Sequence, residues 1–120
     1  MFYHSKELQF KARVSRPDPR FARLLLEQFG GGNGELKAAM QYFVQAFACH
    51  NPYPDKYDML MDIATEELGH LEIIGAIVHQ LTRNMTPDEV KKAGYEAYFV
   101  DHTAGVYPTA ASGSPWNAAS

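Results

Sequence analysis

A single cysteine, Cys49, carries all the thiol chemistry of this 120-residue chain. One thiol cannot close an internal disulfide, which fits a reducing compartment and leads us to expect the cytoplasm. Positive charge is also scarce: 11 Lys and Arg face 14 Asp and Glu, for a net charge of −3. No basic run would track a phosphate backbone, so nucleic acid is not expected as a partner. No apolar run reaches the ~18 residues a membrane span requires. Residues 1–11 mix charges and aromatics without the apolar core of a signal peptide, so no leader is expected there. There is no internal repeat.

What is present is apolar and helical. Hydrophobic residues make up 46% of the chain, and the length suits one domain, 1–120. Residues 1–16 are irregular and read as an extended arm whose aromatics Phe2, Tyr3 and Phe10 need cover, which a neighbouring subunit would supply. Asp18-Pro19 then forms an N-cap with proline at N1, and Phe21, Leu24, Leu25 and Phe29 follow at helical spacing, predicting a helix over 19–29. The run Gly30-Gly31-Gly32-Asn33-Gly34 lacks both a preceding strand and the lysine of a phosphate loop, so it reads as a C-cap and turn.

Two long helices form the centre of the prediction, a hairpin over 34–82. The first runs from Glu35 to about His50. Its stripe Glu35, Ala38, Ala39, Tyr42, Gln45, Ala46 and Cys49 is small and partly polar, which lets a neighbouring helix or a metal approach closely. Met40, Phe43, Val44 and Phe47 on its other faces predict a helix largely buried all round. Asn51-Pro52-Tyr53-Pro54-Asp55 breaks it, with Asp55 expected to cap the second helix, which keeps its apolar period to about Thr82. Thr86-Pro87-Asp88-Glu89 is a capping box opening a short helix that ends near Gly94. Periodicity then fails, and 96–120 reads as a loop tail. The fold class is therefore all-α, with two long antiparallel helices, short flanking helices and an extended arm.

Within the second long helix lies Glu66-Glu67-Leu68-Gly69-His70-Leu71-Glu72. Glu67 and His70, at i and i+3, share a helix face. A carboxylate and an imidazole so placed form a two-ligand clamp, the unit that di-metal carboxylate proteins project into a four-helix bundle. On a solvated face the pattern would carry no meaning, but Leu60, Ile63, Ala64, Ile74 and Ile77 flank it here. If the chain turns at about residue 52, Glu35 stands roughly 17 residues before the turn and Glu67 and His70 roughly 14 and 17 after it. At ~1.5 Å per residue all three then lie at one height on adjacent helices. Two carboxylates in an apolar interior need compensation, and a divalent metal pair supplies it. Tyr42, two turns after Glu35 on the same face, reads either as a hydrogen-bond partner of a ligand carboxylate or as an ordinary core tyrosine. Glu66 and Glu72 read as surface or interface charges. His4, His50, His79 and His102 have no partner at ligand spacing, and Cys49 reads as a small core residue.

A complete di-metal bundle takes one glutamate from each of two helices and Glu-x-x-His from each of the other two. The sequence contains one glutamate at the right height and one Glu-x-x-His, which is half. Two copies meeting about a two-fold axis, or a segment or polypeptide beyond these residues, would supply the rest.

Several stretches together resemble the manganese catalases, especially their short spore-coat homologues: Lys6-Glu7-Leu8-Gln9, Pro17-Asp18-Pro19, Gly30-Gly31 with Gly34-Glu35, Met40-Gln41-Tyr42, Asp62 to Glu72, and Ser114-Pro115-Trp116. The resemblance runs end to end but covers only the N-terminal half of such proteins, whose two further long helices bring the remaining ligands. It implies a ferritin-like bundle and a dinuclear manganese centre, two ions per complete site, that disproportionates hydrogen peroxide to water and dioxygen. By motif Glu35, Glu67 and His70 would be ligands and Tyr42 would stand behind them; the residue that handles the peroxide protons is not assigned. The resemblance also implies a homo-oligomer, a dimer completing the bundle or a hexamer, or a second polypeptide carrying the other half, and a place in the cytoplasm or the spore coat. Two other readings compete: an assembly protein with a vestigial site, and a di-iron oxidase of the same fold.

Overall fold

The computed structural model describes residue 3, residues 5–94 and the backbone of 99–101 and 106–108. The expectations for Phe2, His4, His102 and the Ser114-Pro115-Trp116 stretch fall outside the described residues.

Four helices follow in order: α1 Pro19–Gly30, α2 Glu35–Cys49, α3 Pro54–Leu81 and α4 Pro87–Ala93. Each start has a local cause. The Asp18 side chain accepts from the Phe21 N–H with Pro19 at the first position of α1. Thr86 and Glu89 satisfy one another's backbone N–H groups in a complete capping box at α4, which Gly94 closes at φ 71°, a left-handed cap. At α3 the residue before the helix is Tyr53, without a side-chain cap. Asp55 was expected to cap there. It lies instead in the first turn, where its negative charge meets the positive end of the helix dipole.

α2 and α3 pack as an antiparallel pair. At one end His50 meets Tyr57 edge-on, with ring centroids 4.6 Å apart. At the other end Glu35 meets His70. Between them Ala39, Ala46 and Ala64 are fully buried, so small side chains set the close approach of the two helices. The second core lies at the far end of α3, where Ala22, Leu81, Met85 and Val90 form a buried cluster, with Val14, Leu25, Leu26, Ile77 and Ala93 packed around it. The Asp18 N–H donates to the Leu81 carbonyl at 2.8 Å and ties the start of α1 to the end of α3.

Three expectations change. α2 is not buried all round: Leu36, Met40, Val44 and Phe47 are exposed, because α3 covers one face only. The arm lies along α3 of its own chain. The Gln9 N–H donates to Glu72, the Val14 N–H to Gln80 Oε1, and the Gln80 amide to the Ala12 carbonyl, while Tyr3 and Phe10 remain exposed. Glu72, read as a surface or interface charge, is an anchor for the arm. Inside the loop tail, Phe99–Asp101 pairs antiparallel with Val106–Pro108, a strand pair too short for a period-2 pattern to announce. Among the described residues no helix is long and apolar enough to cross a membrane.

Candidate metal centre

The placement of Glu35 begins with Gly34. This residue is buried, and a Cβ there would run into the backbone carbonyls of Glu27 and Gln28 at the end of α1. Its N–H donates to the Gly31 carbonyl at 3.0 Å. Only glycine allows α1 and α2 to approach this closely, and the approach sets Glu35 as the first residue of α2. Glu67 and His70 sit midway along α3, one turn apart. The sequence marks Gly30–Gly34 as a turn, but it does not show which glycine the backbone contact requires.

The three groups converge. His70 Nδ1 lies 3.1 Å from Glu67 Oε2 and 3.4 Å from Glu35 Oε2. One ligand atom from each residue fits in a cluster with all separations within 4.8 Å. A zinc-sized divalent ion binds nitrogen and oxygen donors at about 2.0–2.2 Å, which sets adjacent donors roughly 3 Å apart. The observed spacing fits that demand, and two carboxylates with an imidazole suit manganese, iron or zinc.

The electrostatics are those of a strained anionic pair. The Glu67 carboxylate, which Glu35 hydrogen-bonds, pushes the Glu35 carboxyl above the usual carboxylate range, and burial adds to this. Glu67 is held below that range by its hydrogen bonds to Glu35 and then to His70. His70 is raised, first by the hydrogen bond to Glu67 and less by Glu35. Glu35 therefore holds a proton more readily than Glu67, and the two carboxylates favour the charged form of His70. Among the described residues neither carboxylate pairs with a lysine or arginine. A metal taken up here would displace those protons.

The centre is open on one side. The side chains of Glu35 and Glu67 are 21% and 16% exposed, whereas that of His70 is 46% exposed. Tyr42 is half-buried on the Glu35 side of α2 and makes no hydrogen bond to the three groups among the described residues. His50, read as having no partner at ligand spacing, contacts Asn51 and Tyr57 at the far end of the hairpin, away from the three ligands. Cys49 is only half-buried. The arm contact escaped the sequence reading. Gly69, beside His70, carries the Gln9 side-chain amide where a Cβ would stand, and the available signal was a lone glycine inside a helical pattern.

The family model for manganese containing catalase matches residues 1–120. The chain belongs to this family. It is 39% identical to Protein CotJC of Bacillus subtilis over 98% of this chain and 61% of that protein. It is 36% identical to a manganese catalase of Bacillus subtilis over 98% of this chain and 47% of the relative. Among solved structures, the manganese catalase KatB of Anabaena superposes with a TM-score of 0.72 at 39% identity, covering 99% of this chain and 52% of that one. The two long helices are thus part of a ferritin-like fold. The chain spans about half the length of the manganese catalases it matches.

Proposed function

We propose that this chain forms half of a dinuclear manganese centre that disproportionates hydrogen peroxide to water and dioxygen, the other half coming from a second pair of helices. The observation that carries the reading is the meeting of Glu35, Glu67 and His70 at one height on α2 and α3. A redox-active metal pair held there would supply the two-electron exchange that converts two peroxide molecules into two of water and one of dioxygen.

The chain's own residues provide the rest. Glu35 and Glu67 supply negative charge for the ions, and His70 supplies a neutral nitrogen once its proton has left. Ala39 and Ala64 keep the helices close, so the donors stay at contact distance instead of splaying into water. Tyr42, on the Glu35 face, would hydrogen-bond a ligand carboxylate once the bundle closes. The test is metal content together with oxygen release from peroxide. Manganese bound by the intact chain, with oxygen evolution that Glu67→Ala abolishes, is the expected result; iron with oxidase activity would instead identify a di-iron enzyme of the same fold.

One observation favours a second reading. The chain is 39% identical to Protein CotJC, as an assembly protein of the spore coat with a vestigial site would be. A well-folded oligomer without metal and without turnover would establish that role and exclude the first.

A further inference from the structure

The start of α1 and the end of α4 flank an open cavity of about 650 Å³. Its described walls carry four cations, Arg20 and Arg23 of α1 and Lys91 and Lys92 of α4, against two carboxylates, Asp18 and Glu89. Both carboxylates are engaged by the helices themselves. Asp18 accepts the Phe21 N–H at 3.0 Å, and Glu89 accepts the Thr86 N–H and hydroxyl at 2.8 and 3.2 Å. Among the described residues none of the four cations forms an ion pair. Excess positive charge is gathered here in a chain whose net charge is −3.

Helix chemistry accounts for part of this. Lys91 and Lys92 lie in the last turn of α4, where cations offset the negative end of the dipole. It does not account for Arg20. That residue lies in the first turn of α1, where a cation meets the positive end of the dipole and no acidic residue accompanies it. Arg23, three residues on, shares a face with Arg20, so the two like charges repel. Arg23 is also held in place: a Cβ on Gly94 would stand 3.2 Å from its Nε, so the guanidinium lies close against the glycine that caps α4. Dipole and repulsion both disfavour this grouping in the free protein, and an anion between the cations would offset both.

We infer that the cavity is a binding site for a small molecule carrying two or more phosphate groups. Guanidinium forks match phosphate oxygens with paired N–H donors, and the two ammonium groups add charge from the α4 side. The positive end of the α1 dipole acts in the same direction. The volume falls within the ~300–1,000 Å³ of small-molecule sites, more than a lone monophosphate fills. The inference is independent of the metal centre, whose residues lie on α2 and midway along α3.

The test is isothermal titration calorimetry of the intact chain with pyrophosphate, at low ionic strength and without added metal. Orthophosphate, citrate and a polyglutamate peptide are titrated beside it. Saturable binding of one pyrophosphate per chain, tighter than any of the three, is expected. Arg20→Gln and Arg23→Gln should each weaken it about tenfold, as loss of a charge-assisted hydrogen bond does, with helicity unchanged. Arg20 is exposed and serves if the Arg23 variant misfolds. Lys37→Gln, which removes an equal charge from α2 outside the cavity, should leave the affinity as it is. No saturable binding would overturn the inference. So would equal weakening by Arg20→Gln and Lys37→Gln, the result of diffuse attraction alone. Orthophosphate binding as tightly as pyrophosphate, or tighter binding of citrate or the peptide, would overturn the ligand assignment.

Discussion

The two ends of this hairpin differ in how far they are finished. At the end of α3, helices α1 and α4 and the arm close over Leu81, Met85 and Val90, which are buried within the chain. From the loop up to the metal ligands, α2 and α3 cover each other on one side only, and Met40, Val44, Phe47 and Met59 face outward. The first end is therefore a structural core, while the second leaves an apolar face open beside Glu35, Glu67 and His70. The candidate ligands thus lie beside the open face, with buried apolar packing concentrated at the far end of α3.

The contrast can be broken from either side. The largest stability effect is expected at the closed end. Leu81→Ala leaves a cavity in a core with no other support and should cost about 2–5 kcal/mol in urea titration. Gly34→Ala comes next. Its Cβ meets backbone rather than a flexible side chain, so α1 and α2 must separate, at about 1–3 kcal/mol. Because Glu35 moves with them, manganese binding should weaken as well, which Leu81→Ala at partial denaturation would not reproduce. Glu67→Ala should abolish manganese binding while the melting temperature of the metal-free protein stays within a few degrees, since the side chain sits at the open end. Gly69→Ala is the mildest. The residue it meets is the movable Gln9 amide, and alanine favours the helix by up to about 1 kcal/mol. Global stability should hold or rise slightly, while limited proteolysis within residues 5–16 becomes faster.

Much of this was legible in the sequence, for reasons visible at particular residues. Asp18-Pro19 and the Thr86–Glu89 box predict helix starts because their side chains satisfy backbone groups a few residues away. Glu35, Glu67 and His70 could be matched in height because a short loop and a fixed helical rise convert residue number into distance. The departures have one physical source, which is that periodicity marks a face as apolar without saying what covers it. Met40, Val44 and Phe47 carry a core pattern but stay exposed among the described residues. Gln9, Glu72 and Gln80 carry a surface pattern but bind the arm through backbone groups that any residue could present. Gly34 and Gly69 are alike as letters, and only the neighbouring atoms reveal that one faces backbone and the other a side chain.

The central claim is that Glu35, Glu67 and His70 are half of a metal centre completed outside this chain. The most direct measurement is the ratio of tightly bound manganese to polypeptide in a species whose mass is known. One manganese per copy of this hairpin, in a particle that also holds the second pair of helices, is the predicted result. Two manganese ions in a single-chain particle, or a folded particle that binds none, would contradict it.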